Sequence, residues 1–339
     1  MRVEQGSGRK APPFKTQGPF FMKSISLLSA SFLALMIAGC SEEPAPAPEP
    51  EQAPEVTETA EPTPTPEPTE TMAASTDEVV TFAIGELEAI ALVDGGFTMP
   101  VADSPFNQQP VEDVSAALES AGLESETLSL SLHPMVLKTP DATILFDAGT
   151  GGPPAGNLMT SMDAAGVAPA DISMILISHS HFDHVGGLVK DGALAFPNAS
   201  ILMSESEWAF MQANEEQAGI VSVIEPVVET FTPGEEIVPG MVTAVEVAGH
   251  TPGHSAFRIA SGEETLLYVG DSVHHFVISV GHPGWKINFD TDEPTARASR
   301  EALLAELAES GEQIYAYHFP FPGVGHIETS DDAFVYIED

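Results

Sequence analysis

Hydrophobic and polar positions divide the chain into three parts. A largely apolar run covers residues 25–38, and a polar stretch rich in proline and glutamate covers residues 41–75. Short aliphatic segments between turn residues make up the folded part that follows. Short apolar segments bounded by Gly, Pro and Asp are typical of strands buried in a sheet. We therefore expect an upstream extension and leader at residues 1–39, a linker at residues 40–75 and one folded domain at residues 76–339.

Strands alternate with helices along the folded part. Helices are expected at residues 111–122 and 293–310, the second with Pro294 in its first turn and Gly311 just past its end. Interspersed strands and helices favour a layered α/β domain over a bundle or a sandwich. The apolar pattern predicts strands at residues 79–84, 87–93, 128–138, 142–146, 173–178, 200–203, 242–247, 255–259 and 265–269, and a last strand at 313–317 before a C-terminal tail.

The N-terminal part carries a targeting pattern. Lys23 precedes the apolar run at residues 25–38, which is too short to span a bilayer, and this order is typical of a secretory signal peptide. The sequence IAGC, which ends at Cys40, resembles the lipobox of bacterial lipoproteins. The resemblance implies that Cys40 is lipidated and becomes the mature N-terminus. The alternative is an ordinary signal peptide with an incidental cysteine.

The composition of residues 40–75 predicts an extended linker between the lipid anchor and the folded domain. After Cys40 it contains neither an aromatic residue nor a glycine nor a base, so it cannot bury a core. Its prolines and mutually repelling acids favour a semi-rigid, extended chain. Because Cys40 is the only cysteine, no disulfide can form within the chain. We expect a protein of the bacterial cell envelope, anchored by lipid and either periplasmic or facing outward from the outer membrane.

The charge balance disfavours some partners. The chain has 11 basic and 51 acidic residues, a formal net charge of -40. Such a surface repels nucleic acid, so we expect a small-molecule substrate and no nucleic-acid partner. The acidity identifies no substrate, and the sequence leaves the oligomeric state open.

The stretch ISHSHFDHVGGL, residues 177–188, concentrates residues that bind metals. His179 and His181 point to the same side of an extended loop and can reach one ion. Asp183 and His184 follow as the chain turns, and four ligands this close in sequence cannot easily surround one tetrahedral centre. The pattern therefore favours two neighbouring ions over the alternative, a polar surface loop or a capped helix start.

The sequence HSHFDH resembles the HxHxDH signature of the metallo-β-lactamase superfamily. The downstream sequences AGHTPGHS, LLYVGDS and IYAYHFPFPG match its remaining ligand positions in order. The resemblance implies a four-layered αββα sandwich and two divalent ions, with zinc the expected metal. It implies that one ion is held by His179, His181 and His250, the other by Asp183, His184 and His318, and that Asp271 bridges both.

Other polar residues have competing interpretations. His326 is the alternative to His318 as the last ligand, and His318 is preferred because it directly follows a strand. His254 is expected to pack or to support the ligands, since the ligand set is already complete. Asp147 either orients a ligand or caps a turn. His274 and His275 are placed near the substrate, and His133 and His282 are isolated and have a possible structural role only.

The expected chemistry is hydrolysis. Two ions that share a water lower its pKa, and the resulting bridging hydroxide is the expected nucleophile, with Asp183 and Asp271 assigned as catalytic residues. The sequence has neither a GxSxG elbow nor a GxxxxGK[ST] phosphate loop. An ester, a lactone or an organophosphate is the expected substrate. The alternatives are a periplasmic β-lactamase, an iron-dependent oxidoreductase of the same fold, and a lipoprotein that only binds metal.

Three stretches favour one branch of the superfamily. The sequences GDSVHH, HPGWKINFDTD and YHFPFPGVGH resemble the methyl parathion hydrolase group and related lactone hydrolases. In quorum-quenching lactonases a tyrosine stands three residues after the bridging aspartate, and here that position is His274. The residues proposed for a substrate pocket are Phe182, His274, Trp285 and Phe319, with Phe289 and Phe321 as further apolar neighbours of the ligands in sequence.

Overall fold

The structure is a computed structural model that describes residues 79–151, 156–330 and 333–339, and these residues belong to one compact unit. The predicted leader, the lipidated Cys40 and the predicted linker lie outside the described residues. Within the described ranges, no helix is long and apolar enough to cross a membrane.

Two seven-stranded sheets face each other and form the centre of the fold. The first sheet has the order β1-β2-β5-β6-β7-β10-β11, from β1 (Val79–Ile84), β2 (Leu87–Leu92), β5 (Met135–Lys138), β6 (Thr143–Phe146), β7 (Met174–Leu176), β10 (Ser200–Ser204) and β11 (Val228–Phe231). The second has the order β12-β13-β14-β15-β16-β17-β18, from β12 (Glu236–Val238), β13 (Val242–Glu246), β14 (Ser255–Ser261), β15 (Glu264–Tyr268), β16 (Gln313–Tyr315), β17 (Val324–Ser330) and β18 (Ala333–Glu338). Two small hairpins, β3 (Gly95–Pro100) with β4 (Thr127–Leu132) and β8 (Val189–Lys190) with β9 (Ala193–Leu194), complete the strands.

Helices cover the outer face of each sheet. The helices are α1 (Val111–Ser120), α2 (Leu158–Ala164), α3 (Phe182–Val185), α4 (Glu205–Ala213), α5 (Ala218–Ile224), α6 (Ile278–Gly281) and α7 (Glu293–Ser310). Buried residues of α2, α4 and α5 pack on the first sheet, and those of α7 pack on the second. A separate apolar cluster between the sheets joins them. The predicted four-layered αββα architecture is therefore confirmed.

Two sequence predictions about strands were wrong. The single strand expected at residues 128–138 is two strands, because the ladder breaks at Pro134, which has no N–H to donate. β4 pairs with β3, whereas β5 joins the first sheet. The expected C-terminal tail instead contains β17 and β18, which pair antiparallel and extend the second sheet.

Chain direction gathers the candidate ligands at one edge of the sandwich. β6, β7 and β10 run parallel in the first sheet, and β13 and β15 share one direction in the second because each is antiparallel to β14. β15 and β16 are also parallel. The segments that carry His179, His250, Asp271 and His318 follow β7, β13, β15 and β16, so they leave the sheets at their carboxyl ends. Ligand sites of α/β folds lie at such edges.

Candidate metal centre

All seven predicted ligands lie together in two groups of side chains. The first donor group contains His179, His181, His250 and Asp271, and the second donor group contains Asp183, His184 and His318. Within each group the potential ligand atoms lie within 4.8 Å of one another. Segments that are far apart in sequence therefore meet at one place.

Three imidazoles of the first donor group converge on one point. His250 Nε2 lies 2.9 Å from His181 Nδ1 and 3.2 Å from His179 Nε2, and His179 Nε2 lies 3.0 Å from His181 Nδ1. Nitrogen ligands at zinc bond lengths of about 2.0–2.1 Å in a tetrahedron are about 3.3 Å apart. The three nitrogens are thus spaced almost as the corners of one tetrahedral site.

The carboxylate of Asp271 lies between the two groups. Its Oδ2 is 3.3 Å from His250 Nε2 and 3.6 Å from His179 Nε2, whereas its Oδ1 is 3.2 Å from His184 Nε2 and 3.1 Å from His318 Nε2. Oδ2 also lies 3.2 Å from His318 Nε2, so the carboxylate is within reach of both groups, as a bridging ligand must be. Asp183 Oδ2 completes the second donor group at 3.7 Å from both His184 Nε2 and His318 Nε2.

The donor atoms fit divalent ions. His184 Nε2 and Asp271 Oδ1 are buried 3.2 Å apart, yet neither makes a hydrogen bond of good geometry with the described residues, although buried polar atoms normally make one. Burial, helped by His250, lowers the pKa of His181 to about 3, so its ring is neutral and offers a lone pair. Burial by itself would raise the pKa of Asp271. The charges of the neighbouring histidines, chiefly His318, outweigh this effect and hold the pKa of Asp271 well below its usual range. Imidazole and carboxylate together suit zinc and similar metals.

Asp147 orients His184 through the ring nitrogen that points away from the centre. It follows β6 with φ of 55°, and its Oδ2 lies 2.8 Å from His184 Nδ1, which directs His184 Nε2 toward the centre. The same carboxylate accepts hydrogen bonds from Ser178 N at 2.8 Å and from the Tyr268 hydroxyl at 2.8 Å. Of the two interpretations open from the sequence, Asp147 takes the role of orienting a ligand.

Two other ligand histidines are oriented by acceptors. His318 Nδ1 lies 2.8 Å from the carbonyl oxygen of Ser131, and His250 Nδ1 lies 3.1 Å from Asp290 Oδ1. Arg300, which is buried on α7, donates to Asp290 Oδ2 at 3.4 Å and to the carbonyl oxygen of Pro283 at 3.0 Å. Each imidazole thereby presents its Nε2 to the centre.

His254 supports the bridging residue. Its Nδ1 lies 3.1 Å from the carbonyl oxygen of Val247, so this nitrogen carries the proton and Nε2 accepts a 3.0 Å hydrogen bond from the backbone N–H of Asp271. Burial, together with the charge of His250, lowers the pKa of His254 to about 3, in agreement with a neutral ring. The expected supporting role of His254 matches these contacts.

The other histidines lie in different surroundings. His326 is on β17, where it pairs with Asp339 at 2.8 Å and Glu328 at 3.4 Å, and it belongs to neither donor group. His275 is buried and accepts backbone N–H bonds at its Nδ1. His133 packs edge-on against Phe321, and His282 stacks on Trp285.

The structure places some of the proposed pocket residues near the donor groups and others away from them. His274 is buried beside the centre, with Nε2 3.3 Å from Asp271 Oδ2 and with its ring stacked parallel to His318. Phe289 is 45% exposed with its ring centroid 5.8 Å from that of His274, and Phe182 is 58% exposed between two ligands on α3. Phe289 therefore leaves apolar surface beside His274, and Phe182 leaves apolar surface on the segment that carries four of the ligands.

The pocket assignment of Phe319 was wrong. Its side chain is fully buried in the apolar cluster between the second sheet and α7, where its ring packs edge-on against Tyr336. Trp285 packs partly against the cluster of α1 and β4, and it lines a groove of about 760 Å³ whose lining includes none of the seven candidate ligands. Proximity in sequence to a ligand did not place either ring beside the centre.

Sequence reasoning missed several residues that hold the ligand segments. Besides Asp290 and Arg300, these include Glu207 on α4. Another missed buried acid, Asp94, holds the loop that follows Asp147, because its carboxylate accepts from Thr150 N at 2.6 Å and from Leu158 N at 2.8 Å. A single acid within a polar stretch forms no pattern with other residues that would reveal its role in the sequence. The sequence signal that was available is the lone Arg300 at a position where the apolar stripe of α7 faces the sheet.

The fold and the two donor groups define a metal-dependent hydrolase of the αββα sandwich type. The sequence profile of the Metallo-beta-lactamase superfamily matches residues 133–318, more than half of the chain. The chain belongs to this superfamily.

Among curated proteins, the relatives include lactonases. An N-acyl homoserine lactonase from Bacillus cereus is 27% identical over 157 residues, which cover 46% of this chain and 57% of that protein. An N-acyl homoserine lactonase from Bacillus sp is 24% identical over 221 residues, or 59% of this chain and 82% of that protein. The chain thus spans little more than half the length of the first relative.

Solved structures that resemble the described domain are also hydrolases of this fold. AidC, a dizinc quorum-quenching lactonase in complex with its product, is 28% identical with a TM-score of 0.73, and the match covers 77% of this chain and 97% of AidC. AbOPH, a hydrolase in the beta lactamase superfamily, is 27% identical with a TM-score of 0.70 over the same shares of the two chains. The described domain therefore matches complete hydrolases of this fold.

Proposed function

We propose that this protein hydrolyses the ester bond of a lactone or a related acyl ester at a centre of two zinc ions. The observation that carries the proposal is the position of Asp271, whose carboxylate lies within 3.3 Å of histidine nitrogens in both donor groups. His179, His181 and His250 would hold one ion, and Asp183, His184 and His318 the other. Two such ions supply a water of lowered pKa and polarise the carbonyl oxygen under attack.

Side chains around the donor groups support an acyl substrate. Phe289 is an exposed aromatic ring next to His274, and Phe182 is an exposed ring on the segment that carries His181 and Asp183; such rings suit an alkyl or acyl chain. Both ring nitrogens of His274 are buried without a hydrogen-bond partner of good geometry among the described residues. The lactonase relatives favour a lactone over an organophosphate, which stays the second substrate class.

A substrate panel tests the proposal. We expect the full chain, solubilised with detergent and supplied with zinc, to hydrolyse N-acyl homoserine lactones with kcat/KM of about 10⁴ M⁻¹s⁻¹ or more, a value ordinary for enzymes. Aryl esters, a phosphotriester and nitrocefin are assayed in parallel. Turnover of nitrocefin alone would replace the proposal with the β-lactamase alternative. No turnover of any compound by the zinc-loaded protein would sink it.

We propose further that Cys40 carries a lipid that attaches the protein to a membrane of the cell envelope. The support is the order of Lys23, the apolar run and IAGC, followed by the acidic proline-rich segment. In a bacterial host fed an alkyne fatty acid, the wild-type chain should be labelled and sediment with membranes. Cys40→Ser should lose the label completely, whereas Ser41→Ala should keep it. A labelled Cys40→Ser chain would refute the assignment.

A further inference from the structure

Glu207 is a buried acid that the proposed function does not use. It lies on α4, outside both donor groups, and its side chain is fully buried. A buried carboxylate is costly unless hydrogen bonds satisfy it. The hydrogen-bond partners of Glu207 therefore indicate its structural role.

Four hydrogen bonds to Glu207 come from two loops. Oε1 accepts from the backbone N–H of Ser180 at 2.7 Å and from its hydroxyl at 2.6 Å. Oε2 accepts from the Thr251 hydroxyl at 2.6 Å and from the Gly253 N–H at 3.0 Å. Ser180 stands between His179 and His181, and Thr251 directly follows His250.

Neighbouring contacts hold the same geometry. Ser204, the residue that caps α4, accepts from the N–H of Glu207 at 3.2 Å and donates to the carbonyl oxygen of Gly253 at 2.7 Å. The Nε2 of Gln217 donates to the carbonyl oxygen of Ser180. A Cβ at Gly253 would overlap the backbone of Glu207, so only glycine permits this approach. The start of α4 is thus built to face both loops.

We infer that Glu207 is a positioning residue that fixes the three histidines of the first donor group by tying their two loops together. The second donor group is held differently, by Asp147 on His184 and by the Tyr317 hydroxyl, which donates to the carbonyl oxygen of Asp183 at 2.6 Å. Asp147 also reaches the first donor group through the Ser178 hydroxyl, which lies 3.1 Å from His179 Nδ1, but only the first group has its two loops joined by Glu207, so loss of Glu207 weakens the first site more than the second. This inference rests on the ligand assignment of the proposed function.

Replacement of Glu207 should weaken the ion of the first donor group more than that of the second. Glu207→Ala leaves four donors without their acceptor, and loss of such a partner typically costs about 10–100-fold in metal affinity. Glu207→Gln keeps the shape but turns an amide toward one backbone N–H, whichever way it is placed, so we expect a loss of about tenfold. Stepwise zinc affinities are measured by chelator competition, and the bound metal per chain is measured by mass spectrometry after dialysis.

The matched control is Glu205→Gln, which removes an exposed acid from the same helix and should leave both affinities unchanged. Equal weakening of both ions, in parallel with a fall in Tm, would show a general structural role and overturn the inference. Unchanged affinities in both Glu207 variants would overturn it as well. If the wild-type chain bound no zinc, the proposed centre would fail together with the inference, whereas two tight ions without lactone hydrolysis would leave the inference standing.

Discussion

Asp271→Ala is expected to reduce hydrolysis by at least about 10³-fold, because the carboxylate of Asp271 lies within 3.3 Å of histidine nitrogens in both donor groups. Its loss removes a ligand from each proposed ion site, and such ions contribute several kcal/mol of transition-state stabilisation, with about 1.4 kcal/mol for each tenfold in rate. It also removes the carboxylate that lies within 3.3 Å of His250, His184 and His318. The measurement is kcat/KM with the best substrate of the panel, at saturating zinc.

Two variants separate loss of the bridge from loss of fold. Asp271→Asn keeps the shape and one carbonyl oxygen but presents an amide group to one donor group, so it should also be severely impaired. Glu264→Ala removes an exposed acid at the start of β15, the strand that leads to Asp271, and should retain wild-type activity. Retained hydrolysis in Asp271→Ala, with two zinc ions still bound, would contradict the bridging assignment.

The four candidate ligands that lie close together in the chain could be predicted from the sequence. His179, His181, Asp183 and His184 are close along the chain, so a strand end and a turn suffice to bring them together. His250, Asp271 and His318 came only from the resemblance to a superfamily, since no spacing rule joins residues so far apart. The structure places each of them after a strand that ends at the same edge.

The supporting residues could not be read in the same way. Glu207 lies in the polar stretch SESEWAF, where an acid in the first turn of a helix is ordinarily exposed and favoured by the helix dipole. Its burial depends on two distant loops that meet α4 only in the folded chain. Asp290 likewise gains its role from His250, which lies forty residues earlier and on a different segment.

Errors in the fold prediction have a common physical cause. Apolar pattern reports burial but not the sheet to which a strand belongs, so β4 and β5 were read as one strand across Pro134. Similarly, Phe319 follows the candidate ligand His318, but its ring points into the core beside α7. Neighbours along the chain point to different sides, and sequence proximity alone does not define a pocket.

Removal of metal is expected to abolish hydrolysis and to lower the Tm on the order of 15 °C. Without ions, the folded state loses the binding free energy of both ions, and buried ligand atoms such as His184 Nε2 and Asp271 Oδ1 make no hydrogen bond of good geometry with the described residues. An ion present at a thousand times its dissociation constant stabilises the fold by about 4 kcal/mol, and each kcal/mol shifts the Tm of a domain this large by about 2–4 °C. Thermal unfolding and activity are measured after dialysis against a chelator.

Restoring metals tests which ions the centre accepts. Zinc, cobalt or manganese should recover both the Tm and the activity, whereas Mg²⁺ should recover neither because it prefers oxygen ligands and waters over imidazole. Asp271→Ala should gain much less Tm from zinc than the wild type, since each donor group lacks its shared carboxylate. Stoichiometric iron in the natively purified protein, with oxygen uptake, would favour the oxidoreductase alternative. A Tm and an activity that survive complete metal removal would refute a metal-dependent hydrolase, because the seven gathered donors would then have only a structural role.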